Sequence, residues 1–224
     1  MDLSKINSII EKSEWSWSHG ADSKHPGFSL LYYSLIYSNI SNKCVILGSG
    51  GGYVPRLIYY AQSELVKNKL LKEIDISLVD VGNGVGGERV YDENGFDDLK
   101  ELKLYNMKTD DAYHNFNNIN YLHVDADHNP SQVYKDLTNY GSRMDGDNWI
   151  ITAHDCYFSK LDRTVHSEKI YLEVARWCNE NNHLHINFNI GRGTTLILPN
   201  RGGMAPLDYK EMMSVRAAFF SCSS

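Results

Sequence analysis

The chain is poor in cysteine and shows no sign of a disulfide framework. Its four cysteines are scattered without a paired spacing. They are Cys44, Cys156, Cys178 and Cys222. Reduced thiols in a cytoplasmic protein are therefore the expectation.

Long runs of basic or of apolar residues are also missing. The 22 lysines and arginines are outnumbered by 28 aspartates and glutamates, for a net charge of -6, and no polybasic run appears. A phosphate-neutralising face for nucleic acid is therefore not expected. The longest apolar stretch, Phe28 to Tyr37, contains serines and is too short to span a bilayer. Since the first residues also lack the order of a signal peptide, we expect no membrane partner.

Short apolar strands alternate with helical patterns along the chain, without an internal repeat or a linker. This order predicts a single α/β domain over residues 1–224, with an N-terminal helical segment at 1–40 and a cofactor-binding core at 43–198. Strands are predicted at 43–47, 74–81, 102–107, 119–124, 149–153, 184–190 and 194–198. The last two are joined by Gly191 to Gly193 as an antiparallel hairpin. The rest of the sheet is predicted to be parallel, with helices on both faces.

A glycine-rich loop follows the first predicted strand and precedes a helix. Glycines allow a ligand to approach the backbone closely, and the helix N-terminus offers free N–H groups to a phosphate or a carboxylate. The candidate cofactor-binding residues of this loop are Gly48, Ser49, Gly50 and Gly52. A tight structural turn is the alternative interpretation.

Asp80 ends the second predicted strand, where an acid can accept hydrogen bonds from both hydroxyls of a ribose. A turn-capping aspartate is the alternative. Together with the glycine loop, Asp80 indicates a nucleoside-bearing ligand, either NAD or S-adenosylmethionine, and the terminal hairpin favours the second. Asp110 and Asp111 end the third strand and are expected near the adenine. A second glycine-rich loop runs from Gly82 to Gly87.

Acids and histidines end the fourth and fifth predicted strands. Asp125 follows one strand, and His154 and Asp155 end the next. Since neighbouring parallel strands end at the same edge of a sheet, we expect these three residues to bind a divalent metal. Oxygen ligands favour Mg²⁺, and an imidazole ligand favours Mn²⁺, Fe²⁺ or Zn²⁺.

His128 lies three residues beyond Asp125 and is the candidate catalytic base, because an imidazole can accept a proton near neutral pH. The alternative is that it caps the next helix or holds Asp125 in place. His123, inside the fourth strand, is predicted to be a packed or sheet-face histidine.

From about Lys43 to Leu198 the chain resembles the class I S-adenosylmethionine-dependent methyltransferases, and within them the metal-dependent small-molecule O-methyltransferases. The VDAD segment of residues 124–127 resembles the caffeoyl-CoA and catechol O-methyltransferases. The DADH segment of residues 125–128, with WIITAHD at 149–155, is more similar to the macrocin O-methyltransferase and cephalosporin-hydroxylase-like group. His154 stands where that group usually has an acid.

The resemblance implies a Rossmann-like methyltransferase fold with Asp125, His154 and Asp155 at the metal and His128 as the base. It also implies methyl transfer to an oxygen of a small polar substrate, with Asp125 bordering the cofactor. Trp15, Trp17 and His19 could close over that substrate, or the N-terminal residues could simply pack on the sheet. A homodimer is a further expectation. The alternatives are a metal-dependent hydrolase or oxygenase, and a non-catalytic cofactor-binding protein.

Overall fold

The computed structural model describes residues 2–81, 96–158 and 165–201, and these form six α-helices and seven strands. The helices are α1 (Leu3–Lys12), α2 (Ser29–Asn39), α3 (Tyr53–Lys67), α4 (Thr109–Ala112), α5 (Pro130–Gly141) and α6 (Val165–Glu180). The strands are β1 (Cys44–Leu47), β2 (Ile76–Asp80), β3 (Leu102–Asn106), β4 (Tyr121–Val124), β5 (Ile150–His154), β6 (His183–Phe188) and β7 (Thr194–Pro199). The predicted loop from Gly82 to Gly87 lies outside the described residues.

All seven strands belong to one sheet with the order β3-β2-β1-β4-β5-β7-β6. The first five strands are mutually parallel, and β7 runs antiparallel to both β5 and β6. The predicted sheet, parallel except for a terminal hairpin, is therefore confirmed. In this order the central strands β1, β4 and β5 are neighbours, so the residues that follow them lie side by side at one edge.

The two faces of the sheet support separate apolar cores. Cys44 and Ile46 of β1 face the side covered by α1, α2 and α3. Val45 and Leu47 face the other side, covered by α5 and α6. This alternation follows from the two-residue period of a strand, and it makes the short strand β1 fully buried.

Helix α3 and strand β6 each end earlier than the sequence predicts. Helix α3 ends at Lys67, four residues before the predicted end, because Lys69 adopts a positive φ of 60° and Leu70 N–H bonds back to the carbonyl of Leu65. Strand β6 ends at Phe188, because the Asn189 side chain turns to bond the backbone of Phe158.

The start of α5 is as predicted from the sequence. The side chain of Asn129 accepts a hydrogen bond from Ser131 N–H at 3.1 Å, and Pro130 is the first helical residue. Within the described ranges, none of the helices has the length and apolar character needed to cross a membrane.

Asp136 on α5 is an acid with no solvent exposure. One carboxyl oxygen accepts a hydrogen bond of 2.9 Å from Gln132, and the charged groups that act on it are Asp110, Asp127 and Lys135. Burial raises the pKa of Asp136 from 3.8 to about 6. The folded protein therefore keeps this proton at a pH where the unfolded chain has lost it.

We expect Asp136→Asn to gain stability relative to the wild type as the pH rises. The folded pKa lies above the unfolded value, so the wild type loses stability through the range from about pH 4 to pH 6, by about 3 kcal/mol in all. The free energy of unfolding of the variant, relative to the wild type, should therefore rise by about 2 kcal/mol between about pH 4.5 and pH 8. The measurement is denaturant unfolding at each pH. The exposed Asp147→Asn should show no such trend, and a pH-independent difference for Asp136→Asn would contradict the prediction.

Candidate active site

The glycine loop after β1 adopts backbone angles that favour glycine throughout. Gly48, Gly50, Gly51 and Gly52 have φ values of 88°, 48°, 64° and 84°. Gly48 is also sterically constrained, because a Cβ atom there would lie 2.1 Å from the backbone oxygen of Asp125. The loop and the end of β4 are therefore in direct backbone contact.

Asp80 lies beside this loop. Its Oδ2 accepts a hydrogen bond of 2.8 Å from the backbone N–H of Ser49, so the capping role left open by the sequence is present. The hydroxyl oxygen of Ser49 is buried and has no hydrogen-bond partner among the described residues. A buried hydroxyl in that state is a group to which a ligand can bond.

The two acids expected near the adenine lie at the start of α4. Asp110 is engaged by α5, where Lys135 Nζ contacts its carboxylate at 2.6 Å and Gln132 donates a bond of 3.1 Å. Asp111 is exposed. A role for either residue at the cofactor therefore stays a prediction.

The acids and histidines predicted at the strand ends do come together. In the register of β4 and β5, Val124 pairs with Ala153, which places Asp125 beside His154. Asp125 Oδ1 lies 3.2 Å from His154 Nδ1 and 3.6 Å from His128 Nε2. The Asp125 side chain is 10% exposed, so this carboxylate meets the histidines in a mostly dry environment.

Asp155 has a strained backbone, with a φ of 55°. That conformation brings its Oδ2 to within 3.0 Å of His128 Nε2 and its Oδ1 to 3.6 Å from His154 Nδ1. Oδ1 is buried and makes no hydrogen bond to any described residue, and Arg192 Nη1 approaches it at 3.9 Å. Strain and a buried unbonded oxygen in one residue are typical of a functional site.

The protonation states follow from this crowding. Hydrogen bonding to Asp125 raises the pKa of His128 to about 9. Burial acts to lower the pKa of His154, but the Asp125 carboxylate outweighs it and raises that pKa. Burial raises the pKa of Asp155. Burial also acts to raise the pKa of Asp125, but the charge of His154 and the hydrogen bonds from the surrounding histidines together outweigh it and hold that pKa well below its usual value. These shifts favour the protonated forms of His128 and His154.

The residues between α1 and α2 cover the site. Glu14 N–H donates to the carbonyl of Gly51, and the carbonyl of Ser18 accepts from Arg192 N–H at 2.7 Å. His19 stacks on His154 with ring centroids 3.9 Å apart. This covering segment therefore contacts both the glycine loop and the acid–histidine cluster (Asp125, His128, His154 and Asp155). Backbone hydrogen bonds hold it there.

His123 was predicted to be a packed histidine, and it is 1% exposed. Its Nδ1 bonds the hydroxyl of Thr152 at 2.8 Å, and its Nε2 points to Asp125 Oδ2 at 3.9 Å. The sequence contained a signal for this position, since residues two apart in a strand lie on the same face and His123 is two before Asp125. His19 offered no comparable signal.

Models of protein families and curated proteins were both compared with the sequence, and none matches. Solved structures do match. A methyltransferase from Podospora anserina bound to SAH superposes with a TM-score of 0.63 and 11% identity, over 86% of this chain and 88% of that one. A Staphylococcus aureus protein assigned as a caffeoyl-CoA O-methyltransferase gives a TM-score of 0.63 and 12% identity, over 89% of this chain and 100% of that one.

A third structure is the O-methyltransferase from Streptomyces achromogenes involved in tomaymycin synthesis, in complex with SAM. It gives a TM-score of 0.60 and 12% identity over 89% of this chain and 91% of that one. The fold is that of the class I methyltransferases. At these identities the likeness establishes the architecture, and the chemistry has to be argued from the residues of this chain. In this chain the glycine loop and the acid–histidine cluster both lie at the carboxyl edge of the sheet, where open α/β sheets bind ligands.

Proposed function

We propose that the protein is an S-adenosylmethionine-dependent methyltransferase that methylates an oxygen of a small polar substrate with the help of a divalent metal. One observation carries the proposal: the glycine loop and the acid–histidine cluster meet at Asp125. A Cβ atom on Gly50 would lie 3.4 Å from Asp125 Oδ2. A cofactor on this loop would therefore border the residues that can bind a metal and an acceptor.

The loop residues suit the cofactor. Gly48, Gly50 and Gly52 leave the backbone open to close approach, and the unbonded hydroxyl of Ser49 can bond a polar group of the ligand. Asp80, at the end of β2, would accept hydrogen bonds from the ribose. S-adenosylmethionine supplies the methyl group.

The donor set also suits a divalent cation, which we assign to Asp125, His154 and Asp155. Asp155 Oδ1 is buried and makes no hydrogen bond to a described residue, and it lies 3.6 Å from His154 Nδ1 and 3.9 Å from Arg192 Nη1. The chemistry that Mg²⁺, Mn²⁺, Fe²⁺ or Zn²⁺ supplies in such a site is Lewis-acid activation of a hydroxyl group.

Removal of the metal with a chelator should abolish methyl transfer while leaving cofactor binding measurable.

His128 is half-exposed and bonds Asp155, so it lies between the buried acids and solvent. We assign it as the group that accepts the proton of the acceptor hydroxyl. That role needs the neutral imidazole, which a cation beside Asp125 favours because it offsets the carboxylate charge. The segment with Trp17 and His19 would exclude water and orient the acceptor.

The same proposal includes a small-molecule substrate, a homodimer and a cytoplasmic location, with no nucleic acid or membrane as partner. The free thiols of Cys44, Cys156 and Cys178 are compatible with a reducing compartment. A metal-dependent hydrolase or oxygenase, or a non-catalytic cofactor-binding protein, are the competing functions that the next experiment separates.

Calorimetry with S-adenosylmethionine tests the proposal. We expect the wild type to bind the cofactor, and Asp80→Asn to bind it at least about 10-fold more weakly, because the amide cannot accept two ribose hydrogen bonds as a carboxylate does. Asp75→Asn is the matched control, since Asp75 lies at the opposite end of β2 and pairs with Lys103 on the surface. Absence of binding, with or without metal, would favour the hydrolase or oxygenase.

Binding without chemistry is the remaining outcome. Transfer of a labelled methyl group should be followed over a panel of hydroxylated small molecules with Mg²⁺, Mn²⁺, Fe²⁺ and Zn²⁺ in turn. A cofactor that binds but is never consumed would favour the non-catalytic alternative.

A further inference from the structure

Three buried histidines from different parts of the chain surround Asp125. His19 comes from the segment after α1, His123 from β4 and His154 from β5, and they are 2%, 1% and 4% exposed. Metal-ligating atoms of His19, Asp125 and His154 all lie within 4.8 Å of one another. This inner cluster is distinct from the outer one, in which Asp125 meets His128 and Asp155.

Each of these histidines has one ring nitrogen bonded on the side away from Asp125. His19 Nδ1 bonds the hydroxyl of Tyr32 at 3.1 Å, and His123 Nδ1 bonds that of Thr152 at 2.8 Å. Metal-binding histidines typically have their second nitrogen fixed in this way, because the outer bond sets the tautomer and orientation of the ring.

His123 and His154 direct their other ring nitrogen toward Asp125. His123 Nε2 is buried, has no hydrogen-bond partner among the described residues, and faces Asp125 Oδ2 at 3.9 Å. That distance is too long for a hydrogen bond, so a buried polar atom is directed into the cluster without being satisfied there.

His154 gives the strongest argument for a cation. Its Nε2 lies 3.2 Å from the carbonyl oxygen of Ser18, which can only accept, so Nε2 carries the hydrogen. Nδ1 faces Asp125 Oδ1 at 3.2 Å, so Nδ1 binds either the second proton of the imidazolium or a metal ion in its place. Two acceptors at that separation need a proton or a metal ion between them. Ligand atoms bound tetrahedrally to one metal at about 2.0–2.2 Å are themselves about 3.3–3.6 Å apart, which is close to the spacing here.

We propose that His19, Asp125 and His154, with His123 beside Asp125, form a nitrogen-rich site that binds Zn²⁺ or another transition metal in preference to Mg²⁺. This site holds the metal of the proposed function, with His19 as a ligand in place of Asp155. Imidazole ligands select such ions, whereas Mg²⁺ prefers an all-oxygen set. Asp155 lies on the solvent side of this site, beside His128. The inference rests on the proposed function only for the use of the metal in methyl transfer, and binding of the metal itself is measured separately.

The position of His19 has a structural consequence. Because His19 belongs to the segment that covers the glycine loop, a metal held by His19 ties that segment to β4 and β5. Binding of the metal should therefore stabilise the covering segment, and hydrogen exchange at residues 14–20 should slow when Zn²⁺ is added.

Calorimetry on tag-free protein stripped with a chelator tests the proposal. We expect one equivalent of Zn²⁺ to bind at least about 100-fold more tightly than Mg²⁺. His19→Ala and His123→Ala should each weaken Zn²⁺ binding by about 10-fold or more. His185→Ala is the matched control, since His185 lies on β6 away from the cluster, and it should bind Zn²⁺ like the wild type.

A second readout does not depend on the variants folding. Co²⁺ added to the wild type should give the visible absorption of a low-coordinate site with nitrogen ligands, and Zn²⁺ should displace it. Equal affinity for Zn²⁺ and Mg²⁺, or a six-coordinate oxygen-ligated Co²⁺ spectrum, would overturn the inference. So would unchanged Zn²⁺ affinity in a folded His19→Ala variant.

Cofactor calorimetry on the same samples keeps the two proposals apart. Binding of S-adenosylmethionine without selective Zn²⁺ binding would leave the proposed function standing and end the present inference. Selective Zn²⁺ binding without any binding of S-adenosylmethionine would support the metal site and end the proposed function.

Discussion

Replacing Gly48 by alanine is expected to lower the free energy of unfolding by about 2–5 kcal/mol. A φ of 88° costs an alanine about 1–2 kcal/mol, and a Cβ atom 2.1 Å from the backbone oxygen of Asp125 adds about 1–3 kcal/mol of overpacking. The neighbour is backbone, so no side chain can rotate away to relieve the contact. The measurement is equilibrium unfolding in denaturant.

Gly146→Ala is the matched control for this effect. Gly146 also has a positive φ, of 51°, but a Cβ atom there would meet nothing within 4 Å. Gly146→Ala should therefore lower the free energy of unfolding by only about 1–2 kcal/mol, which is the cost of the backbone strain. Since the Gly48 clash falls on the residue that both proposed sites share, Gly48→Ala should also weaken cofactor and metal binding. Equal losses of stability in the two variants would show that the contact with Asp125 has no role.

The sheet and the meeting of Asp125 with His154 could be predicted from the sequence. Apolar strands separated by helical patterns dictate a parallel sheet, and neighbouring parallel strands end at one edge. The register that pairs Val124 with Ala153 then places the two side chains together. The apolar pattern was sufficient for this prediction because it defines the strands, and Asp125 and His154 lie directly at their ends.

The contribution of His19 could not be predicted in the same way. Ser18, its neighbour, contacts His154 across 136 positions of sequence. That contact depends on Gly20 packing against Ile190 and on Gly191 lying against the Ser18 carbonyl, which are fits between two irregular loops. No periodicity encodes such a fit. The aromatic residues of this segment indicated a possible cover for the substrate, and the alternative, packing on the sheet, stayed open.

Asp80 shows a different limit. The sequence left two roles open, a ribose acceptor and a turn cap, and the bond from Ser49 N–H demonstrates the cap. A carboxylate has two oxygens and about four lone-pair directions, so the bond from Ser49 N–H does not by itself exclude a ligand. The two roles are therefore compatible, and cofactor binding by the Asp80→Asn variant decides whether both are used.

The common element of the site is the Asp125 carboxylate. It faces His154 and His128 through Oδ1 and His123 through Oδ2, and the glycine loop borders it. Since each contact arrives from a different element, the loss of this one charge should affect metal, base and covering segment at the same time.

We therefore expect Asp125→Asn to reduce methyl transfer by at least about 100-fold at saturating cofactor and metal. The amide keeps the size of the side chain but removes the charge that a cation and the neighbouring histidines require. The measurement is transfer of a labelled methyl group to the acceptor identified in the panel, with cofactor affinity measured alongside as a check that the variant is folded.

Asp127→Asn is the control, because Asp127 lies two residues further along, is exposed and bonds only the backbone of Asn129 among the hydrogen bonds found. It should retain activity within about threefold of the wild type, as expected for a surface change. If Asp125→Asn binds the cofactor and also retains methyl transfer within that range, the Asp125 carboxylate takes no part in the reaction. The chemistry would then have to be sought at the glycine loop alone, without a metal.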